Sequence, residues 1–366
     1  MCIRIIRREM IHDTGRVMDN ELLVRKNRWK DLYVPEGDKQ KFIFLIGYPC
    51  EEDCGWEHPW RDRMKQRTEV AWKTYCAQMK HYQEVPDDTL PFLNIWTGTE
   101  IFAEALGCKV KKPEDNMPFA IPFVKSAHDL EKIKVPKLED SSLMNLFDMA
   151  DELKRRAGKD ALMSLPDMQT PLDVVAQIWD KSDLFMAMID EPEVVLELEE
   201  KVKNLQFAFI DEWFRRYGTE FIAHHPSYYM EKGITMSVDE IGSISTEMFD
   251  TFERDILNEL SDRYGAIGIH SCSDSEHQWE KLAQVRNLKL LNLYRNGETI
   301  DRAFAFFSPI CAHWHGIQEN VPTAKPICLR NREDFPAGCR VVINGWAPSK
   351  KEAVELAKQF EERFRI

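Results

Sequence analysis

The chain has 366 residues, 43% hydrophobic and 30% charged, the balance of a globular protein with room for one large α/β barrel or two ordinary domains. Its formal net charge of -13 argues against nucleic acid or an anionic membrane as the main partner, because both call for a basic face. No apolar run approaches the ~20 residues that cross a bilayer, the charged start Met1-Cys2-Ile3-Arg4 is not a signal peptide, and nine scattered cysteines suit reduced thiols, so a cytosolic protein with a small-molecule or protein partner is expected.

Residues 1–40 read as a helical or irregular extension, and 41–366 as a single barrel domain. A first strand is expected at Phe42–Ile46, ending in Gly47-Tyr48-Pro49-Cys50. Cys50 and Cys54 form a C-x3-C pair with no second pair at zinc-ribbon spacing, so two thiols in a loop is the simpler reading, and the acids 51–53 between them form either a lid or a solvated loop. A second strand, Phe92–Ile95, ends in Trp96-Thr97-Gly98-Thr99, and a third spans Ala161–Leu165. Thr170-Pro171-Leu172-Asp173 supplies a cap, a first-turn proline and an acid, the start of a helix. Asp190…Glu193, with Pro192 between, is capping-box-like and opens a helix to about Arg216, with Val202, Leu205, Phe209 and Trp213 on one stripe.

Phe221–Ala223 is expected as the fourth strand, followed by His224, His225, Tyr228 and Tyr229. A helix after the Ser245 cap places Met248, Phe249, Phe252, Ile256 and Leu260 on one side. Strands at Ala266–Ile269, Leu288–Leu293, Ile310–Trp314 and Arg340–Ile343 bring the count to eight, and the capping box Ser349-Lys350-Lys351-Glu352 opens the last helix. Strands alternating with helices imply a parallel sheet, and eight of them favour a closed (β/α)8 TIM barrel. No glycine-rich phosphate fingerprint follows any strand, which counts against a nucleotide-binding open sheet.

In such a barrel the chemistry sits at the carboxyl ends of the strands. That rule nominates Tyr48, Trp96, Asp167, Gln169, Tyr228 and Trp346 as substrate-binding residues, together with His224, His225, His313 and the pentad His270-Ser271-Cys272-Ser273-Asp274. Residues two apart in a strand project to one side, so His270 and Cys272 make two thirds of an open zinc site. The bland alternative is a hydrogen-bonded imidazole beside a thiol. For the third ligand, Cys311, His313 and His315 share one face, and His315 lies nearest the carboxyl end. Asp274 either orients His270 or caps the next helix, capping being the more ordinary role.

Ile244-Ser245-Thr246-Glu247-Met248-Phe249-Asp250 followed by Gly268-Ile269-His270-Ser271-Cys272 resembles the uroporphyrinogen decarboxylase superfamily, whose members carry a Ser-Pro-Glu-x-Phe helix start and a His-x-Cys-Gly strand end. Pro166–Leu172, Asp190–Val194 and Thr99–Gly107 agree with it, so the likeness spans roughly 85 to 360 and implies a (β/α)8 barrel. The Arg-rich loop and the Ser-Asp pair that grip the tetrapyrrole in true decarboxylases have no counterpart at Gly47-Tyr48-Pro49-Cys50 or Trp96-Thr97. A substrate with many carboxylates needs fixed guanidinium groups, which speaks against tetrapyrrole decarboxylation.

The other branch, the methylcobamide-dependent methyltransferases and related demethylases, binds zinc through His-x-Cys and a later cysteine, and takes the methyl group from a corrinoid on a partner protein. The resemblance to it implies zinc on His270 and Cys272. The later cysteine is missing: Asn344-Gly345-Trp346 occupies its place, and Cys339 precedes the last strand. The leading expectation is a zinc- and corrinoid-linked methyltransferase or demethylase of a small molecule. A metal-free decarboxylase or lyase with His224 or His270 as proton donor and Asp239 as orienting carboxylate is the second. A non-catalytic barrel that binds a corrinoid, a tetrapyrrole or a protein is the third.

Overall fold

A computed structural model describes residues 20–49, 54–318 and 325–365, so Cys50 and the acids 51–53 lie outside the described residues. Eight parallel strands form the barrel wall: β1 (Lys41–Gly47), β2 (Phe92–Leu93), β3 (Leu162–Met163), β4 (Ile234–Ser237), β5 (Ile267–Ser271), β6 (Leu288–Arg295), β7 (Ala312–His313) and β8 (Arg340–Trp346). Neighbour pairing runs β1-β8-β7-β6-β5-β4, and β2 pairs with β3. A bridge between Gln169 and Ser237 joins the two sheets on one side. On the other side, between β1 and β2, side chains replace most of the ladder: Asp88 accepts from the Phe44 N–H at 2.8 Å and Asp87 from the Ile46 N–H at 2.9 Å, beside one backbone bond from Asp88 N to the Phe44 carbonyl.

These two buried carboxylates are answered by arginines. Arg25 reaches Asp87 at 3.3 Å, Arg28 reaches Asp88 at 3.1 Å, and Arg365 also pairs with Asp88. Arg25 and Trp29 belong to a helix over 20–32, which packs across the amino-terminal ends of the strands: Tyr33 meets the Tyr229 carbonyl and Lys26 meets Glu220.

The eight strands differ from the expected eight at one place. Phe221–Ile222 pairs antiparallel with Tyr229–Met230 as a small hairpin joined to the chain after β3 by a bridge at Ser164, and Ile234–Ser237 takes the fourth barrel position. All four residues of β4 are buried, so they show no alternation to read. The predicted caps at Thr170, Ser245 and Ser349 each accept a first-turn N–H. Asp190 does not cap: a separate helix, Lys181–Asp190, runs up to it, and Glu191 precedes Pro192–Tyr217 with no side-chain cap bond. The helix expected after Ser245 is two, Thr246–Phe252 and Arg254–Tyr264, broken at Glu253. Val202, Leu205, Phe209 and Trp213 are buried as their stripe predicts, and Phe42 and Phe44 of β1 pack on Phe360 and Phe364 of the last helix.

Candidate active site

Strand register builds the centre of the site. Ser237, His270 and Asn292 are in-register partners across β4, β5 and β6, so their side chains share one face. Asn292 donates its amide N–H to the Trp314 carbonyl, which leaves its oxygen toward His270 Nδ1 at 2.5 Å. An amide oxygen only accepts, so His270 carries its proton on Nδ1 and keeps the Nε2 lone pair free. Just beyond the strand, Cys272 N–H donates to Asp239 Oδ1 at 2.7 Å. Ligand atoms of Asp239, His270 and Cys272 all lie within 4.8 Å of one another. Nitrogen, sulfur and oxygen donors in one group suit a zinc-like cation. Desolvation and the Asp239 carboxylate raise the Cys272 thiol to about 11, the expected state of a thiol beside an acid before a cation is present.

The third member of this group is therefore Asp239, not the expected His315. His315 Nδ1 accepts from the Leu293 N–H at 3.0 Å, and its Nε2 meets His313 Nδ1 at 2.9 Å. Burial holds His315 neutral, at about 3, so Nε2 carries the proton and donates it. Neither nitrogen has a lone pair to offer. Cys339 is fully buried at the start of β8, at the other end of the barrel from Cys272. Asp274 takes neither role expected of it; its carboxylate pairs with Arg295 at 2.9 Å.

A second polar layer touches the first. His225 packs edge-on against His270 at 4.6 Å between ring centroids. His224 Nε2 lies 2.9 Å from Ser237 Oγ and 3.3 Å from Asp167 Oδ1, and Gln169 donates to the same Asp167 oxygen at 2.7 Å. Burial raises the Asp167 carboxyl to about 6 and lowers His224 to about 3.

Behind Asp239, Asp173 Oδ1 accepts the N–H groups of Asp239 and Glu240, each at 3.0 Å. Its other oxygen meets Thr170 Oγ1 at 2.5 Å, and Thr170 Oγ1 lies 2.9 Å from Glu253. One hydroxyl hydrogen cannot serve two carboxylates, and burial raises both acids, so one of the two carries a proton of its own and donates it to Thr170. Nothing in the sequence marks Thr170 or Asp173 beyond their helix-start pattern. Asn292 was open to recognition only through its register with His270.

The other nominated residues divide. Tyr228 is fully buried, donates to Thr235 at 2.8 Å, and fills the space over Gly268, where a Cβ would come within 2.0 Å of the phenol oxygen; it is core, not rim. Tyr48 and Trp346 line a separate cleft of about 910 Å³ beside β1 and β8, with Cys54 and His81, and it includes none of Asp239, His270 and Cys272. Trp96, 38% exposed, stands at the end of β2 over the helix Met64–Glu84.

No helix among the described residues is long and apolar enough to cross a membrane. No curated protein matches the sequence. A methyltransferase from Methanosarcina mazei shares the fold, with a TM-score of 0.59 at 12% identity over 84% of this chain and 88% of its own. The family model for uroporphyrinogen decarboxylase (URO-D) matches residues 63–294, more than half of the sequence and including β2 to β5 with His270 and Cys272, and on that match the chain belongs to the uroporphyrinogen decarboxylase family.

Proposed function

We propose that this chain is a metal-dependent methyltransferase or demethylase of a small molecule, with zinc held by Asp239, His270 and Cys272 and the methyl group carried by a corrinoid on a partner protein. The observation that carries the reading is the convergence of those three side chains at the carboxyl ends of β4 and β5. The residues fit the ion: Asn292 fixes the His270 tautomer that exposes Nε2, and the Cys272 N–H holds the Asp239 carboxylate beside the thiol. A zinc ion bound there supplies a Lewis acid that lowers the pKa of a substrate thiol or similar group. The Methanosarcina methyltransferase with the same fold supports this branch of the family.

Around that centre the chain's own groups bind and orient. His225 walls one side of His270, and Asp167, raised to about 6, holds or releases a proton near neutral pH beside His224. That carboxyl also supports a second reading, metal-free proton transfer in a decarboxylase or lyase, in which Asp167 and His224 matter and Cys272 does not.

Cobalt(II) titration separates the two. We expect one equivalent bound, with thiolate-to-metal absorbance lost in Cys272→Ser and affinity reduced about tenfold or more in Asp239→Asn, as for loss of a charged ligand. Absence of metal binding by the folded wild type removes the first reading.

A further inference from the structure

Arg67 is a buried cation that the site described above does not use. It sits on the helix Met64–Glu84, 6% exposed, with its guanidinium under the end of β2. Its hydrogen bonds go to the Trp96 carbonyl at 2.5 Å and to Met64 Sδ at 3.0 Å, the second a weak acceptor. No carboxylate among the described residues comes within ion-pair distance, whereas the buried Arg25 and Arg330 have Asp87 and Asp301. Buried Arg340, which also lacks an acid, is met by the carbonyls of Tyr33 and Ser308. A guanidinium has five N–H donors, and a buried cation left unpaired is costly, so a missing partner is the physical question.

The space for that partner is present. Arg67 lines two cavities, one of about 70 Å³ shared with Trp96 and Asn94, the other of about 20 Å³ shared with Thr97 and Glu100. Room of this order takes a group of a few heavy atoms. Glu100 adds a second sign of a missing ligand: it is 4% exposed, and its Oε2 is buried with no hydrogen-bond partner. Burial raises this carboxyl to about 7, so at neutral pH its protonated form can donate to a ligand oxygen. Glu57 and Glu100 nearby disfavour a dianion, which leaves a small monoanion, and the planar fork of guanidinium donors matches a carboxylate.

We propose that Arg67, with Glu100 beside it, forms a carboxylate-binding subsite at the end of β2. A relay of contacts links the subsite to the centre already described. Thr97, which lines the smaller cavity, accepts the Asp167 N–H at 2.9 Å, Asp167 meets His224, and His225 packs on His270. On the methyl-transfer reading, the substrate is then a small carboxylic acid that lies across the mouth from β2 to β5, its acid on Arg67 and its methyl-bearing or methyl-accepting atom at Asp239, His270 and Cys272. The subsite itself does not rest on that reading.

Acetate titration of full-length, chelator-treated protein tests it, read by the fluorescence of Trp96 and its neighbour Trp56, whose rings lie 6.1 Å apart. Chloride at equal ionic strength is the control. We expect a saturable acetate response in wild type and an affinity about tenfold or more weaker in Arg67→Gln, the loss typical of a charge-assisted pair. Circular dichroism checks the fold; if Arg67→Gln does not fold, Arg67→Lys decides, with a similar weakening expected because an ammonium lacks the fork. Acetate affinity equal to wild type in the folded variant, or no acetate response beyond chloride, overturns the subsite. Failure of the methyl-transfer reading shows differently, as acetate binding intact with no cobalt(II) bound.

Discussion

His270 shows how much of a site can rest on hydrogen-bond direction. Its imidazole is useful to a cation only because Asn292, itself fixed by the Trp314 carbonyl, accepts the Nδ1 proton. Asn292→Ala should therefore lower cobalt(II) affinity by about 10- to 100-fold with the fold intact, the range for partners that orient a metal ligand; unchanged affinity would show that the tautomer does not matter. His315 is the opposite case, a histidine whose two nitrogens serve the core. Its folded pKa, about 3, lies below the unfolded value near 6.5, so below pH 6.5 the unfolded chain binds the extra proton and stability falls as pH drops. Between pH 7 and pH 5 this one group removes about 2 kcal/mol. Urea unfolding at the two pH values should show that much less pH dependence in His315→Gln than in wild type. The sequence placed His315 on a plausible face, but spacing carries no information about which lone pairs are already used. Arg67 was unreadable for a related reason: an arginine on a long polar helix looks solvated until the Trp96 carbonyl and the two cavities are seen around it.

At the scale of elements, strands whose apolar run was bounded by turn residues were legible, and Trp96, Asp167 and the His270–Cys272 pair each follow or end one of them. Ile234–Ser237 was not legible: four residues buried on both faces, following Glu231-Lys232-Gly233, offer neither alternation nor length. The cost of missing that strand was Asp239, which lies two residues beyond it and appeared as an orienting carboxylate without a place on the rim. The barrel's interior explains why β5 carries Gly268. Its missing Cβ makes room for the Tyr228 phenol, so Gly268→Ala should destabilise by about 1–3 kcal/mol, the usual range for overpacking a core. Denaturant unfolding measures this. Tyr228→Phe added to Gly268→Ala should recover part of the loss, because the hydroxyl is the nearest atom and the ring carbon behind it, at 2.7 Å, remains.

For the whole molecule, the unequal closure of the barrel decides where it opens. From β1 through β8 to β4 the strands form one parallel sheet, thinnest at β7, which shares one register pair with β8 and two with β6; β2 and β3 also pair over two residues, but β2 meets β1 chiefly through the Asp87 and Asp88 carboxylates. Those carboxylates hold because Arg25, Arg28 and Arg365 converge on them, which ties the helix over 20–32 and the residue after the last helix to the seam. Asp88→Ala takes the acceptor from the buried Phe44 N–H and the shared acid from Arg28 and Arg365, so it should cost about 3–5 kcal/mol in urea unfolding, more than its small volume implies. Local opening follows regions with few shared hydrogen bonds. Amide hydrogen exchange should therefore find the peptide over residues 86–95 exchanging faster than those over β5 and β6, and Asp88→Ala should widen the difference. Equal protection of all these segments would show that the side-chain seam is as strong as a backbone ladder. Trp96 and Thr97 follow directly on β2, so the faster-opening segment is also the one that leads to the Arg67 cavities. Acetate bound there should slow exchange over 86–95 in wild type and leave it unchanged in Arg67→Gln, because a ligand that binds only the closed form stabilises it by mass action.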